Sequence, residues 1–199
     1  MEGLIISDLT FSYKERIIFK NFNLKLENNK IYALVGPSGS GKTTLSKIIT
    51  GHITNFQGEV FINGKKIEKP CRDSFIVHQE DDLFPWMNVR QQLEFVINQL
   101  KIQADVNSLL KLFKLDLSRE LYPYQLSGGM KKRLSLLRAE LVAPKVLILD
   151  ETLSSLDREL LDAILFEMVS IWKKRNSIII LVTHQLDSVQ KYIDQVIQL

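Results

Sequence analysis

Gly36-Pro37-Ser38-Gly39-Ser40-Gly41-Lys42-Thr43 has the spacing G-x-x-x-x-G-K-T of a phosphate-binding loop. Ahead of it, Ile31 to Val35 is a short apolar run suited to a buried strand. Behind it, Thr43 to Thr50 carries polar and apolar residues at helical spacing and stops at Gly51, a helix C-terminal signal. The glycines let the backbone turn so that several N–H groups point inward, and the following helix adds its positive end. Lys42 is placed to reach β- and γ-phosphates, and the Thr43 hydroxyl can ligand a magnesium ion. A glycine-rich turn with a solvated lysine would be the bland reading. A strand before and a helix after favour a nucleoside triphosphate site over it.

The chain has 199 residues, enough for one substantial domain or a core with a subdomain. It is 45% hydrophobic and 25% charged, an ordinary globular composition. A net charge of +3 gives no case for a nucleic-acid surface. The single cysteine, Cys71, has no partner in a Cys/His pattern and reads as an ordinary thiol. The longest apolar runs, Val146 to Leu149 and Ile178 to Val182, are strand-sized, and Met1-Glu2-Gly3 does not open a signal peptide. Work at a membrane would therefore need a partner.

Along the chain, Leu4 to Tyr13 and Arg16 to Glu27 alternate as strands, and Gly58 to Ile67 is a hairpin turning at Asn63-Gly64. With Phe75 to His78, these place antiparallel strands around the phosphate-loop unit. From Asn88 to about Phe113 the pattern is helical, with Val89, Leu93, Val96, Ile97 and Leu100 in one stripe. Leu121 to Ser127 reads as a loop and Met130 to Val142 as a helix. Then come strand Val146 to Leu149, helix Leu156 to Trp172, strand Ile178 to Val182 and helix Leu186 to Ile193. The two continuous apolar strands suit a parallel sheet covered on both faces. The expected fold is α/β.

Lys145-Val146-Leu147-Ile148-Leu149-Asp150-Glu151 is a buried strand ending in two carboxylates, where open α/β sheets bind ligands. Asp150 suits a magnesium ion, through water. Glu151, one residue further, can orient an attacking water or accept its proton. A strand followed by an acidic turn would show the same residues. Leu126-Ser127-Gly128-Gly129-Met130 joins a good N-cap, Ser127, to two glycines that open a helix and permit close approach of an anion. A capped helix after a flexible turn would look the same.

Taken in order, these elements resemble the ATP-binding subunit of an ABC transporter, over most of the chain. That resemblance implies a P-loop NTPase core with an antiparallel β-subdomain and an inserted α-helical subdomain, in one domain over 1–199. The core would take about 1–82 and 143–199, and the helical part about 83–142. By the same resemblance Tyr13 stacks on adenine, Gly36 to Thr44 form the phosphate loop, and Gln79 is the Q-loop glutamine, a magnesium ligand. Ser127, Gly128 and Gly129 form the signature, and Asp150 and Glu151 the Walker B pair. Asp157 belongs to the D-loop, and His184 is the switch histidine that contacts the γ-phosphate. The implied catalytic set is Glu151, His184 and Gln79, with Mg2+ held at Thr43, Gln79 and Asp150. Two departures stand out: Met130 replaces the usual signature glutamine, and Thr152 the usual proline after Glu151. The sequence also ends soon after His184, before the added C-terminal segment of many relatives.

In the family, two cassettes meet head to tail around two ATP molecules, so the resemblance implies a second cassette, a homodimer in the simplest case. It also implies separate transmembrane permease subunits, a solute-binding protein as a further partner, and a place on the cytoplasmic face of the membrane. Glu80-Asp81-Asp82-Leu83-Phe84-Pro85-Trp86 sets large apolar residues beside acidic ones in a loop. It reads either as local packing or as a docking surface for a helix of the permease. Its Q-E-x-x-L-x-P-W string resembles importers of the nitrate, sulfonate and taurine type. The run Lys131-Lys132-Arg133 reads as the solvated face of the signature helix. A small-molecule kinase shares the phosphate loop, but the serine-glycine-glycine signature, Asp157 and His184 argue against it. A non-transport ABC ATPase would usually carry paired cassettes or a long coiled-coil insertion, and this sequence shows neither. An exporter cassette would fit if its membrane part were a separate chain.

Overall fold

A computed structural model describes residues 2–78, 82–150, 158–184 and 186–199. A four-stranded antiparallel sheet holds β1 (Leu4–Tyr13), β2 (Arg16–Leu26), β4 (Gln57–Ile62) and β5 (Lys65–Lys66), in the order β2-β1-β4-β5. The β4–β5 turn has positive φ at Asn63 and Gly64, 49° and 79°, as a tight hairpin requires. A five-stranded parallel sheet holds β3 (Ile31–Val35), β6 (Ser74–Val77), β7 (Val146–Asp150), β8 (Ile178–Val182) and β9 (Gln195–Gln198). Its order is β6-β7-β8-β3-β9.

The central strands β7, β8 and β3 are apolar throughout, apart from Asp150 at the end of β7, because both of their faces are covered. Tyr32, Leu34, Val146, Ile148, Ile178 and Ile180 point into one core, which they share with Leu45, Ile48 and Ile49 of α1 (Lys42–Ile49). Ile31, Leu147, Leu149, Ile179 and Leu181 enter the other core, with Trp172 of α5 (Arg158–Lys174). That second core also takes in α2 (Val89–Leu100), α3 (Val106–Leu112) and α4 (Gly128–Val142). The alternation follows the period of two along a strand. Each fully buried aliphatic side chain contributes about 1.5–3 kcal/mol.

Helix boundaries are set by local chemistry. Asn88 caps α2 by accepting from the Gln91 backbone N–H, and the Gln91 side chain returns the bond to the Asn88 N–H. Ser127 caps α4 by accepting from the Met130 N–H at 3.3 Å.

Three expectations need correction. The strand near Phe75 is β6, and it pairs in parallel with β7 rather than joining the antiparallel set. The segment from Leu186 is helical only to Val189 (α6), then makes a single tight turn at Gln190–Tyr192 and enters β9 beside β3. The basic run after the signature is no solvated face: Lys132 is buried, and Arg133 donates to the Phe113 and Lys114 carbonyls. Those carbonyls lie at the end of α3, where a cation complements unsatisfied acceptors and the helix dipole.

Candidate nucleotide-binding site

Strand register brings the expected site residues to one edge. Asp150 of β7 lies opposite Val182 of β8, and Val182 lies opposite Leu34 of β3. The loop beginning at Gly36, the Asp150 carboxylate and His184, two residues beyond β8, therefore emerge together at the carboxyl end of the parallel sheet. That is where open α/β sheets bind ligands.

The loop is shaped for an anion. Gly41 has φ 105°, and a Cβ there would sit 2.7 Å from Ile18 Cγ2 and 2.9 Å from Phe19 Cζ. Glycine is thus required both by conformation and by the close approach of β2. The Lys42 side chain is 7% exposed, and its ammonium donates to the Gly36 carbonyl at 2.8 Å and the Pro37 carbonyl at 3.1 Å. The charge is held inside the loop, where a phosphate would meet it at short range. Ser40 Oγ is buried with no hydrogen-bond partner, an orphan that a ligand oxygen can satisfy.

A cleft of about 370 Å³ opens from the loop. It is lined by Ser38, Gly39, Gly41, Lys42, Thr43 and Thr44 of the loop and the helix after it, and by Tyr13, Arg16, Ile18 and His184. These lining residues include two cations and no carboxylate, which suits a polyphosphate. Tyr13 is half-exposed at the rim, with its ring edge-to-face on Phe11 at 4.8 Å. Asp150 is buried at 7% exposure. Thr43 and Asp150 are oxygen donors of the kind magnesium prefers. Among the described residues, no cluster of three His, Cys, Asp or Glu side chains is placed to hold a metal by itself. Gln79, Glu151 and Asp157 lie outside the described residues.

The signature lies elsewhere. Ser127, Gly128 and Gly129 are at the start of α4 and are not among the residues lining this cleft. A Cβ on Gly128 would meet nothing within 4 Å. Among the described residues, no packing neighbour calls for glycine there.

Residues 19–154, from β2 past the Asp150 carboxylate, match the ABC transporter family. The chain belongs to that family. The cassette is 36% identical over 176 residues to the aliphatic sulfonates import ATP-binding protein SsuB of Bacillus subtilis (strain 168). That alignment covers 87% of this chain and 69% of the relative. It is 31% identical over 189 residues to the taurine import ATP-binding protein TauB of Escherichia coli O157:H7, covering 92% and 74%. Among solved structures, the ATP-binding subunit of an ABC transporter superposes with a TM-score of 0.88 at 24% identity, over 99% of this cassette and 85% of that chain. A dimeric post-hydrolysis cassette bound to ADP and Pi superposes with a TM-score of 0.84 at 24% identity, covering 98% and 94%. These confirm the expected P-loop NTPase fold.

Sequence reasoning missed Arg16, which lines the cleft and donates to the Gly39 carbonyl at 3.1 Å. The available signal was positional: Arg16 is directly opposite Tyr13 across a two-residue turn.

Proposed function

We propose that this cassette is the ATP-hydrolysing subunit of an ABC importer, working as a pair of cassettes on a membrane permease. The observation that carries it is the convergence of the phosphate loop, Asp150 and His184 on one sheet edge. The import functions in the names of SsuB and TauB support the direction of transport.

Lys42 turns from the loop carbonyls to the β- and γ-phosphates of ATP. Tyr13 receives the adenine. Thr43 and Asp150, with Gln79, are the residues that would hold Mg2+. Such an ion takes few protein oxygens and leaves the remainder to phosphate and water. When bound, it neutralises phosphate charge during transfer. Glu151 accepts a proton from the attacking water. His184, which lines the same cleft, contacts the γ-phosphate.

Gly128, with no packing neighbour at its Cβ position among the described residues, leaves room for the nucleotide of a second cassette to approach the N-terminus of α4. By its match to the D-loop of the family, Asp157 is assigned to the same proposed interface. Each ATP is then sandwiched, the γ-phosphate bridges two half-sites, and hydrolysis releases them.

The segment Leu83 to Trp86 supplies the docking surface. Trp86 is 68% exposed, and Phe84 lies 5.6 Å from it and 5.3 Å from Phe95. Leu83 anchors the segment against the core. Among the described residues, no helix is long and apolar enough to cross a membrane. The cassette is thus proposed to sit at the cytoplasmic face through its permease, with a solute-binding protein as a further component. The permease, not the cassette, contacts the solute.

Purified protein with Mg-ATP tests the reading. Phosphate release, lost in Lys42→Ala, supports an ATPase. A phosphorylated small-molecule acceptor would instead support a kinase.

A further inference from the structure

Arg16 occupies a singular position. It opens β2 directly opposite Tyr13, and one of its guanidinium nitrogens donates to Gly39 O at 3.1 Å. The next turn of the loop is braced by the same strand, through Ile18 and Phe19 against Gly41. The Arg16 side chain is thereby fixed between the aromatic rim and the phosphate loop. It lines the same cleft as Tyr13, Lys42, Thr43 and His184.

A guanidinium carries five N–H donors in a fixed fork. Among the described residues only one hydrogen bond engages it, to Gly39, and no carboxylate lines the cleft beside it. A cation so held gains little from its own chain beyond placement. It gains much from an anion lying in the cleft.

We propose that Arg16 is a nucleotide-binding residue, whose guanidinium donates to a phosphate oxygen of ATP or ADP on the base-proximal side of Lys42. The proposal rests on the nucleotide reading of the site. Tyr13 takes the base end and Lys42 the terminal phosphates, so a group between them meets the part of the polyphosphate common to ATP and ADP. Arg16 therefore strengthens both nucleotides, whereas His184 responds to the γ-phosphate. The bond to Gly39 orients the fork in advance and lowers the entropic cost of the contact.

The test is calorimetric binding of Mg-ATP and Mg-ADP to the wild-type cassette and to Arg16→Ala, Arg16→Lys and Arg16→Gln. Arg16 is exposed, so melting temperatures that match wild type establish that the variants are folded. Arg16→Ala should weaken ATP and ADP by similar factors of roughly ten. Arg16→Lys keeps the charge and should recover most of the loss, while Arg16→Gln keeps a donor for Gly39 and should not. The wild-type affinity should also fall more steeply with salt than that of Arg16→Ala.

Unchanged affinity in Arg16→Ala overturns the proposal. So does a loss confined to ATP, or one that Lys fails to reduce. Recovery by Gln as complete as by Lys would assign Arg16 to bracing Gly39 alone. Failure of the nucleotide reading is separately visible, because Lys42→Ala would then bind ATP as well as wild type does.

Discussion

The guanidinium of Arg138, on α4, lies 4.9 Å from the ring centroid of Phe84. Its Nη1 also donates to the Asp82 carbonyl. The helix that begins at the signature thus grips the aromatic segment proposed to meet the permease. A partly desolvated cation over an aromatic face is worth about 1–2 kcal/mol. Arg138→Ala should loosen that segment while leaving ATP affinity within about twofold, because Arg138 is not among the residues that line the phosphate cleft. Ser at both Phe84 and Trp86 should likewise spare ATP binding and abolish transport in reconstituted vesicles. Normal transport by the double variant would remove the segment from the docking surface.

Lys42→Ala should abolish useful ATP binding. The buried ammonium is held by two loop carbonyls, poised for phosphate. Losing a charge-assisted contact of this kind costs about 2–5 kcal/mol. Calorimetry that finds the wild-type affinity would reject the assignment.

Tyr13→Ala should weaken ATP by about 1–3 kcal/mol, the range for a base stacked on an aromatic ring. Its ring is supported by Phe11, which stays in place in the variant. Equal affinity for ATP in the variant and the wild type would reject the stacking role.

The parts of this fold that were legible in the sequence are those whose chemistry is local. The phosphate loop, the Asn63-Gly64 turn and the Ser127 cap depend on nearest neighbours. The continuous apolar runs Val146 to Leu149 of β7 and Ile178 to Val182 of β8 signal burial on both faces without reference to a partner. The pairing of β6 was not legible, because four residues carry no mark of parallel or antiparallel neighbours. Strand β9 was hidden for a different reason. Gln-Val-Ile-Gln is largely exposed at a sheet edge and shows little apolar pattern. Arg16 and Arg133 resembled surface charges, since only the folded chain brings Gly39 and the end of α3 to them.

Glu140 carries a pH dependence of the same hidden origin. It is buried in α4, bonded to Arg175 at 2.7 Å and to the Trp172 indole N–H at 3.1 Å. Burial holds its carboxyl above the ordinary 4.5, against the opposing pull of Arg175 and Trp172. The folded chain therefore binds this proton more tightly than the unfolded chain. Its contribution is most favourable below the ordinary value and declines as pH rises through the raised one. Urea unfolding across mildly acid to neutral pH should show this decline in wild type relative to Glu140→Gln. Parallel pH profiles would contradict it.

Two cassettes are proposed to close on ATP and to open when it is hydrolysed. Glu151→Gln isolates that step, because an amide of nearly the same shape cannot accept the proton. Hydrolysis should slow by about 10²–10⁴-fold while ATP and magnesium still bind. The most direct measurement is the mass in solution of Glu151→Gln with and without Mg-ATP. Glu151→Gln should be a monomer alone and a dimer with Mg-ATP; a variant that stays monomeric in saturating ATP would rule out the closed pair.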